Sequence, residues 1–294
     1  MFSWKHQQQN TINGDDPNNK FTKLIKCLLF PSKWRILAHQ VLPEFCLQVL
    51  NITNIIEIAG LDQFAELVAE EFTKRLKPTE TIAYDDFFQT LLDRCPEFID
   101  KTNGKTLDQQ WMTKEEVMAN MFALFDGGFV GHYTSMTFLI YELAINTDCQ
   151  QKLYDELINS NCFVDSRLNG QFDWETVGKL DYLNACLSES LRLHSAINRD
   201  GRLANQDYTD ETTGLTIKKG QEIQLSHSAV QQCPDYYRMP DQFIPDRFVK
   251  HNKHQLVDSA YLPFGLGRRM CPGYKFALMA IKLTMAHLLI RYNT

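Results

Sequence analysis

The run WMTKEEVMANMFALFDGGFVGHYTSMTFLIYELAIN, residues 111 to 146, carries an unbroken helical pattern of about 33 residues. At 1.5 Å per residue that is a rod of about 50 Å, against an ordinary helix of roughly 10–14 residues. A fold holding such a rod has to be arranged around it. Thr113, with Glu116 three residues later, is a capping-box pair and predicts where the rod begins. Its centre, DGGFVG over 126–131, holds three glycines, each costing about 1 kcal/mol relative to alanine in a helix interior. A long helix weakened at its middle is either closely packed there, kinked, or has something pressed against it.

The rest of the chain reads as helices first and strands late. From Phe21 to Ile99 the pattern is helical, punctuated at Pro31, Pro43 and Pro78, and LVAEEFTKRL (67–76) has the mixed charge of an amphipathic surface helix. Further helices are expected over 147–159 and 180–195. Residues 200–230 change texture, with β-rich runs and glycine turns that predict short strands. MPDQFIPDRF (239–248) is a proline-punctuated meander, and a helix follows Pro272. The fold class is mainly α with a small β region (α+β). Residues 1–20 are polar and expected to be a disordered start, with one domain over 21–294.

Composition narrows the function. A chain of 294 residues at 44% hydrophobic buries a substantial core. The net charge of −6, with no basic block, argues against nucleic acid as a partner. Eight cysteines are scattered without a Cys-x-x-Cys pair, and the polar N-terminus has no secretory signal, which favours reduced thiols over a disulfide scaffold. The two most apolar stretches are interrupted by Asp126 and His132, and by Lys282 and His287. Neither supplies the roughly 20 apolar residues of a membrane span.

One cysteine stands apart. In LPFGLGRRMCPGYKFALMAIK (262–282), Cys271 lies between Arg268–Arg269 and a Pro-Gly step at the mouth of the last helix. Pro272 suits a first helical position. Cys271 is then expected at or beside the N-cap, where free N–H groups and neighbouring arginines stabilise a thiolate. Phe276, Met279, Leu283 and Ile290 fall on one stripe. A thiolate so held is a nucleophile or a metal ligand, and the plain alternative is a half-buried structural cysteine.

The spacing Phe264-x-x-Gly267-x-Arg269-x-Cys271-x-Gly273 resembles the heme-binding signature of the cytochrome P450 superfamily, with its five fixed positions met. Glu189-Ser190-Leu191-Arg192 resembles the family's Glu-x-x-Arg helix motif, and PDQFIPDRF its meander, with Arg247 as the arginine joining that pair. The texture is similar to the animal xenobiotic-metabolising branch. The resemblance implies a P450-type fold with heme b (iron protoporphyrin IX), Cys271 as its axial iron ligand and Phe264 shielding the thiolate. It implies Arg269 and Arg202 on the propionates, and Glu189, Arg192 and Arg247 in a buried ionic network. Ile197 and Asn198 would face substrate. The implied activity is a heme-thiolate monooxygenase inserting one oxygen atom from O2 into a hydrophobic small molecule. NADPH-cytochrome P450 reductase would be the electron partner, at the cytosolic face of the endoplasmic reticulum membrane.

Two departures accompany the resemblance. The expected domain is incomplete, without the anchor and early helices at the N-terminus and without the last strands. That raises the alternative of a truncated, non-catalytic product. The second departure is chemical. Counted back from YELA (141–144), the family's oxygen-activation segment falls on Gly127, Gly128, Phe129, Val130 and Gly131. The glycine pair of the oxygen groove is kept, while the family's acid is replaced by Val130 and its alcohol by Gly131. Neither replacement donates or relays a proton. Asp126, Thr134 and Ser135 lie about a turn away and are candidates for a substitute relay, and His132 for a distal ligand. A heme-thiolate isomerase or dehydratase that does not activate O2 is therefore a second reading.

Overall fold

The computed structural model describes residues 24, 28, 32–50, 52, 58–76, 86–95, 112–160 and 172–292, in two compact units, 1–128 and 129–294. The expected polar start and Pro31, Pro78, Cys27 and Cys162 lie outside the described residues. The six described cysteines are all free thiols.

In the first unit the Ser32 hydroxyl accepts from the Arg35 N–H and caps α1 (Lys33–Val41), and Pro43 opens α2 (Glu44–Val49). α3 (Ile58–Leu76) bears out the amphipathic expectation, with Phe64, Val68 and Phe72 buried at successive turns. They share one core with Phe88, Leu91 and Leu92 of α4 (Phe87–Leu92) and with Val117 and Met121. Asp86 caps α4 and takes both ends of the Arg75 guanidinium at 2.7 and 2.8 Å. A buried carboxylate thus ties α3 to the start of α4.

α5 (Lys114–Ile145) is the long helix, 32 residues from the predicted cap. The Thr113 N–H donates to Glu116 Oε2 at 2.8 Å, and the Glu116 N–H donates to Thr113 Oγ1 at 3.2 Å. It stays helical through 126–131. Among the described residues nothing lies within 4 Å of where a Cβ on Gly127 or Gly131 would sit.

In the second unit α5 continues into α6 (Thr147–Asn159), α7 (Trp174–Lys179) and α8 (Asp181–Leu193). No side chain of its own caps α8. Glu156 of α6 supplies the acceptors instead, for the Tyr182 and Leu183 N–H groups at 2.8 and 2.9 Å. β1 (Arg199–Leu203) pairs antiparallel with β4 (Glu222–Ser226), and β2 (Tyr208–Thr209) with β3 (Thr216–Ile217). The strands end sooner than the sequence texture implies. The Ser226 hydroxyl accepts from the Ala229 N–H, and His227–Gln231 turn into a short helix, α9.

The last helix, α10 (Tyr274–Arg291), corrects two expectations. Gly273 is the N-cap, so Pro272 lies outside the helix and Cys271 sits two residues before the cap. The buried face is Ile281, Met285, Ala286 and Leu289, while Phe276 is exposed. The helix is apolar almost all round, and periodicity alone cannot choose its inner face. Leu139, Leu143, Leu183 and Leu187 complete this core. Lys282 is buried on α10, and burial pushes its ammonium below the ordinary lysine range. The folded protein therefore binds this proton less readily than the unfolded chain, and stability rises as pH climbs from the folded value toward 10.5. Lys282→Met is expected to raise stability at neutral pH by roughly 1 kcal/mol and to flatten that rise, read by thermal melts across pH. No helix among the described residues is long and apolar enough to cross a membrane.

Candidate cofactor site

The cysteine loop hangs between the meander and α10. Gly265 (φ 71°) and Gly267 (φ 77°) adopt left-handed backbone, a conformation that costs a side-chain-bearing residue about 1–2 kcal/mol. These two turns fold the loop back until the Cys271 N–H donates to the Phe264 carbonyl at 2.9 Å. Phe264 packs against the core, its ring centroid 6.1 Å from that of Tyr274. Gly267–Arg269 form one turn of 3₁₀ helix, which leaves Arg269 exposed. The space around the Gly267 Cβ position is open, so only backbone strain penalises a substitution there. Gly267→Ala is expected to cost about 1–2 kcal/mol, measured by denaturant titration.

Beneath the loop lies the ionic network. Glu189 and Arg192 on α8 are fully buried. Arg192 Nε and Nη2 donate to the two Glu189 oxygens at 2.8 and 2.9 Å, and Arg247 Nε donates to Glu189 Oε1 at 3.2 Å. The remaining donors of Arg192 reach the carbonyls of Gln231, Pro240 and Gln242 at 2.7–3.1 Å. Arg247 Nη2 donates to the Met239 carbonyl, where the chain turns through positive φ. The ion pair therefore pins the meander by its own backbone. Glu189, Arg192 and Arg247 thus meet around one carboxylate.

Residues not singled out in the sequence complete the junction. Gln231, buried, donates to the Arg192 carbonyl at 3.1 Å and accepts from the Leu262 N–H at 2.6 Å, which joins the ionic helix to the root of the cysteine loop. The Tyr237 ring lies under the Arg192 guanidinium, 4.9 Å from its centroid. Burial pushes the Tyr237 hydroxyl up to about 12, so it stays a donor, to the Ala260 carbonyl at 3.2 Å. No local pattern marks either residue, because both act through contacts tens of residues away.

The groove side is less complete. His132 stacks edge-on against Phe276 at 5.9 Å, which brings the second half of α5 beside the start of α10. Val130 is exposed, Gly131 and Thr134 are half-buried and Ser135 is buried. Asp126 is half-buried, and burial raises its carboxyl above the ordinary range. Gly127 is exposed and Gly128 half-buried. Ile197 is exposed, while the Asn198 side chain accepts from the Ser228 hydroxyl at 2.9 Å. Arg202 sits exposed on β1.

The donor set tests which cofactor fits. Among the described residues no three His, Cys, Asp or Glu side chains gather to hold a bare metal ion. A lone thiol suits a metal that brings its other ligands with it. Leu266, Met270 and Phe276, all within five residues of Cys271 in the chain, are exposed, and Arg202 and Arg269 are exposed cations. That combination fits an apolar macrocycle with carboxylate substituents, and heme b is such a group.

A mainly helical unit, two small antiparallel sheets and a glycine-turned cysteine loop joined to a buried Glu–Arg–Arg network define the class. The cytochrome P450 family model matches residues 8–294, and the chain belongs to that family. It is 31% identical over 287 residues to cytochrome P450 9b2 of Drosophila melanogaster, covering 95% of this chain and 53% of that protein. Cytochrome P450 3A18 of Rattus norvegicus is 29% identical over 88% of this chain and 52% of its own length. Cytochrome P450 9e2 of Blattella germanica is 33% identical over 66% and 36%. The chain thus spans about half the length of the first two relatives. Members of the family bind heme b and are monooxygenases.

Proposed function

We propose that this chain carries the heme-thiolate half of a monooxygenase acting on a hydrophobic small molecule, with Cys271 as the axial ligand of heme b. The observation that carries this is the Cys271 loop, closed by the Cys271–Phe264 bond, turned at Gly265 and Gly267, and rooted in the Glu189–Arg192–Arg247 network. When bound, the heme supplies oxygen activation, with electrons from NADPH-cytochrome P450 reductase at the cytosolic face of the endoplasmic reticulum. The chain's own residues hold and orient it. Cys271 presents its sulfur from a loop whose shape two left-handed glycines set. Phe264, whose carbonyl closes the loop, would shield the thiol from water. Arg269 and Arg202 offer charge-assisted donors to carboxylates. Ile197 supplies apolar surface for substrate.

One observation favours a second reading at the same site. Val130 and Gly131 stand where the family's segment has an acid and an alcohol, and neither holds a proton to deliver. A heme-thiolate isomerase or dehydratase needs no such delivery. The two are separated by supplying the heme-loaded protein with reductase, NADPH and dioxygen, or with an organic hydroperoxide. Oxygenated product from dioxygen supports the monooxygenase. Rearrangement or dehydration of the hydroperoxide itself, with no oxygen transferred to a second molecule and no NADPH consumed, supports the second reading.

A further inference from the structure

His227 opens α9 directly after β4 and is 3% exposed, yet among the described residues neither ring nitrogen has a hydrogen-bond partner. A buried polar group left in this state is costly and calls for a partner nearby. The nearest is Asp200 on β1, whose Oδ2 lies 3.5 Å from His227 Nε2, within ion-pair range but not hydrogen-bonded. The same oxygen lies 3.5 Å from Arg202 Nη2. It also lies 3.3 Å from where a Cβ on Gly265 would sit, so Asp200 rests against the cysteine loop at one of its left-handed turns. One carboxylate oxygen therefore stands between an exposed arginine, a buried imidazole and the loop. The β1–β4 register, Asp200 opposite Leu225 and Arg199 opposite Ser226, fixes this meeting, and the His227 N–H is tied to the Asn198 carbonyl at 2.8 Å.

We propose that Asp200 is shared between Arg202 and His227, and that His227 is a positioning residue for cofactor capture. The proposal rests on the heme reading above. While no other carboxylate engages Arg202, its guanidinium competes with His227 for Asp200. Once a carboxylate of the porphyrin pairs with Arg202, Asp200 is released to accept from His227 Nε2. The gain of that buried bond adds to the hold on the porphyrin, and Asp200 stays seated against the Gly265 turn. The coupling depends on the porphyrin's carboxylate, and that dependence separates it from simple packing.

The test measures transfer of porphyrin from the full chain to excess apomyoglobin, with heme and with heme dimethyl ester, which lacks free carboxylates. His227→Leu is expected to speed heme loss at least ~5-fold and to leave loss of the dimethyl ester unchanged. His227→Gln keeps an N–H donor at the ring edge and is expected to restore retention to within about twofold of the parent chain. Circular dichroism of the three apo proteins shows whether each folds alike. Equal heme loss from the parent and His227→Leu overturns the proposal and leaves the heme reading standing. Equal acceleration for heme and its dimethyl ester makes His227 a packing residue and overturns the coupling. If the parent chain holds neither porphyrin, the heme reading itself fails, and this proposal with it.

Discussion

Glu189→Ala is expected to destabilise the protein by about 3–5 kcal/mol, the cost of stripping the partner from a buried charge. Arg192 is fully buried and gives two of its donors to this carboxylate. The substitution also leaves the Ile244 N–H, now bonded to Glu189 Oε1 at 2.9 Å, and Arg247 Nε without their acceptor. Against a total stability of about 5–15 kcal/mol, that is a large share, and the midpoint of thermal unfolding should fall by roughly 10 °C. Removing both charges usually recovers much of such a loss. Here it should not. Glu189→Leu with Arg192→Leu still leaves the carbonyls of Gln231, Pro240 and Gln242 without donors, each costing about 1–3 kcal/mol. Recovery of the melting midpoint in the double variant would contradict this account of the network.

Val130→Glu with Gly131→Thr is expected to raise dioxygen-driven turnover by at least ~10²-fold, the low end of what a positioned proton donor contributes. Turnover driven by an organic hydroperoxide should change little, because that route brings its oxygen already reduced. The backbone tolerates the change, since Val130 is exposed and a Cβ at Gly131 meets nothing within 4 Å. Activity is read as product formed per NADPH consumed, beside the hydroperoxide control. An equal effect on both routes would mean that these positions shape the pocket and do not deliver protons.

Particular residues show what the sequence made legible. The start of α5 was legible because Thr113 and Glu116 satisfy each other locally, and α6 matches its expected bounds at Thr147 and Asn159. The ionic network was legible only through the family motif, since Glu189 and Arg192 alone read as an ordinary surface pair. The short strands were legible in kind. Their end was not, because the Ser226 cap competes with strand continuation over one residue. The inner face of α10 was hidden by its near-uniform apolarity, and its cap by the adjacent Pro272 and Gly273, either of which suits a helix start. Gln231, Tyr237, Asp200 and His227 left no sequence signal. Their roles arise from tertiary contacts that join β1, α8, α9 and the loop root.

The measurement that tests the central claim most directly is the absorption spectrum of the heme-loaded, reduced chain under carbon monoxide, beside Cys271→Ala. The account predicts the strongly red-shifted Soret band of a thiolate-ligated carbonyl in the parent chain and its loss in the variant. A band typical of nitrogen ligation in both proteins would contradict Cys271 as the axial ligand.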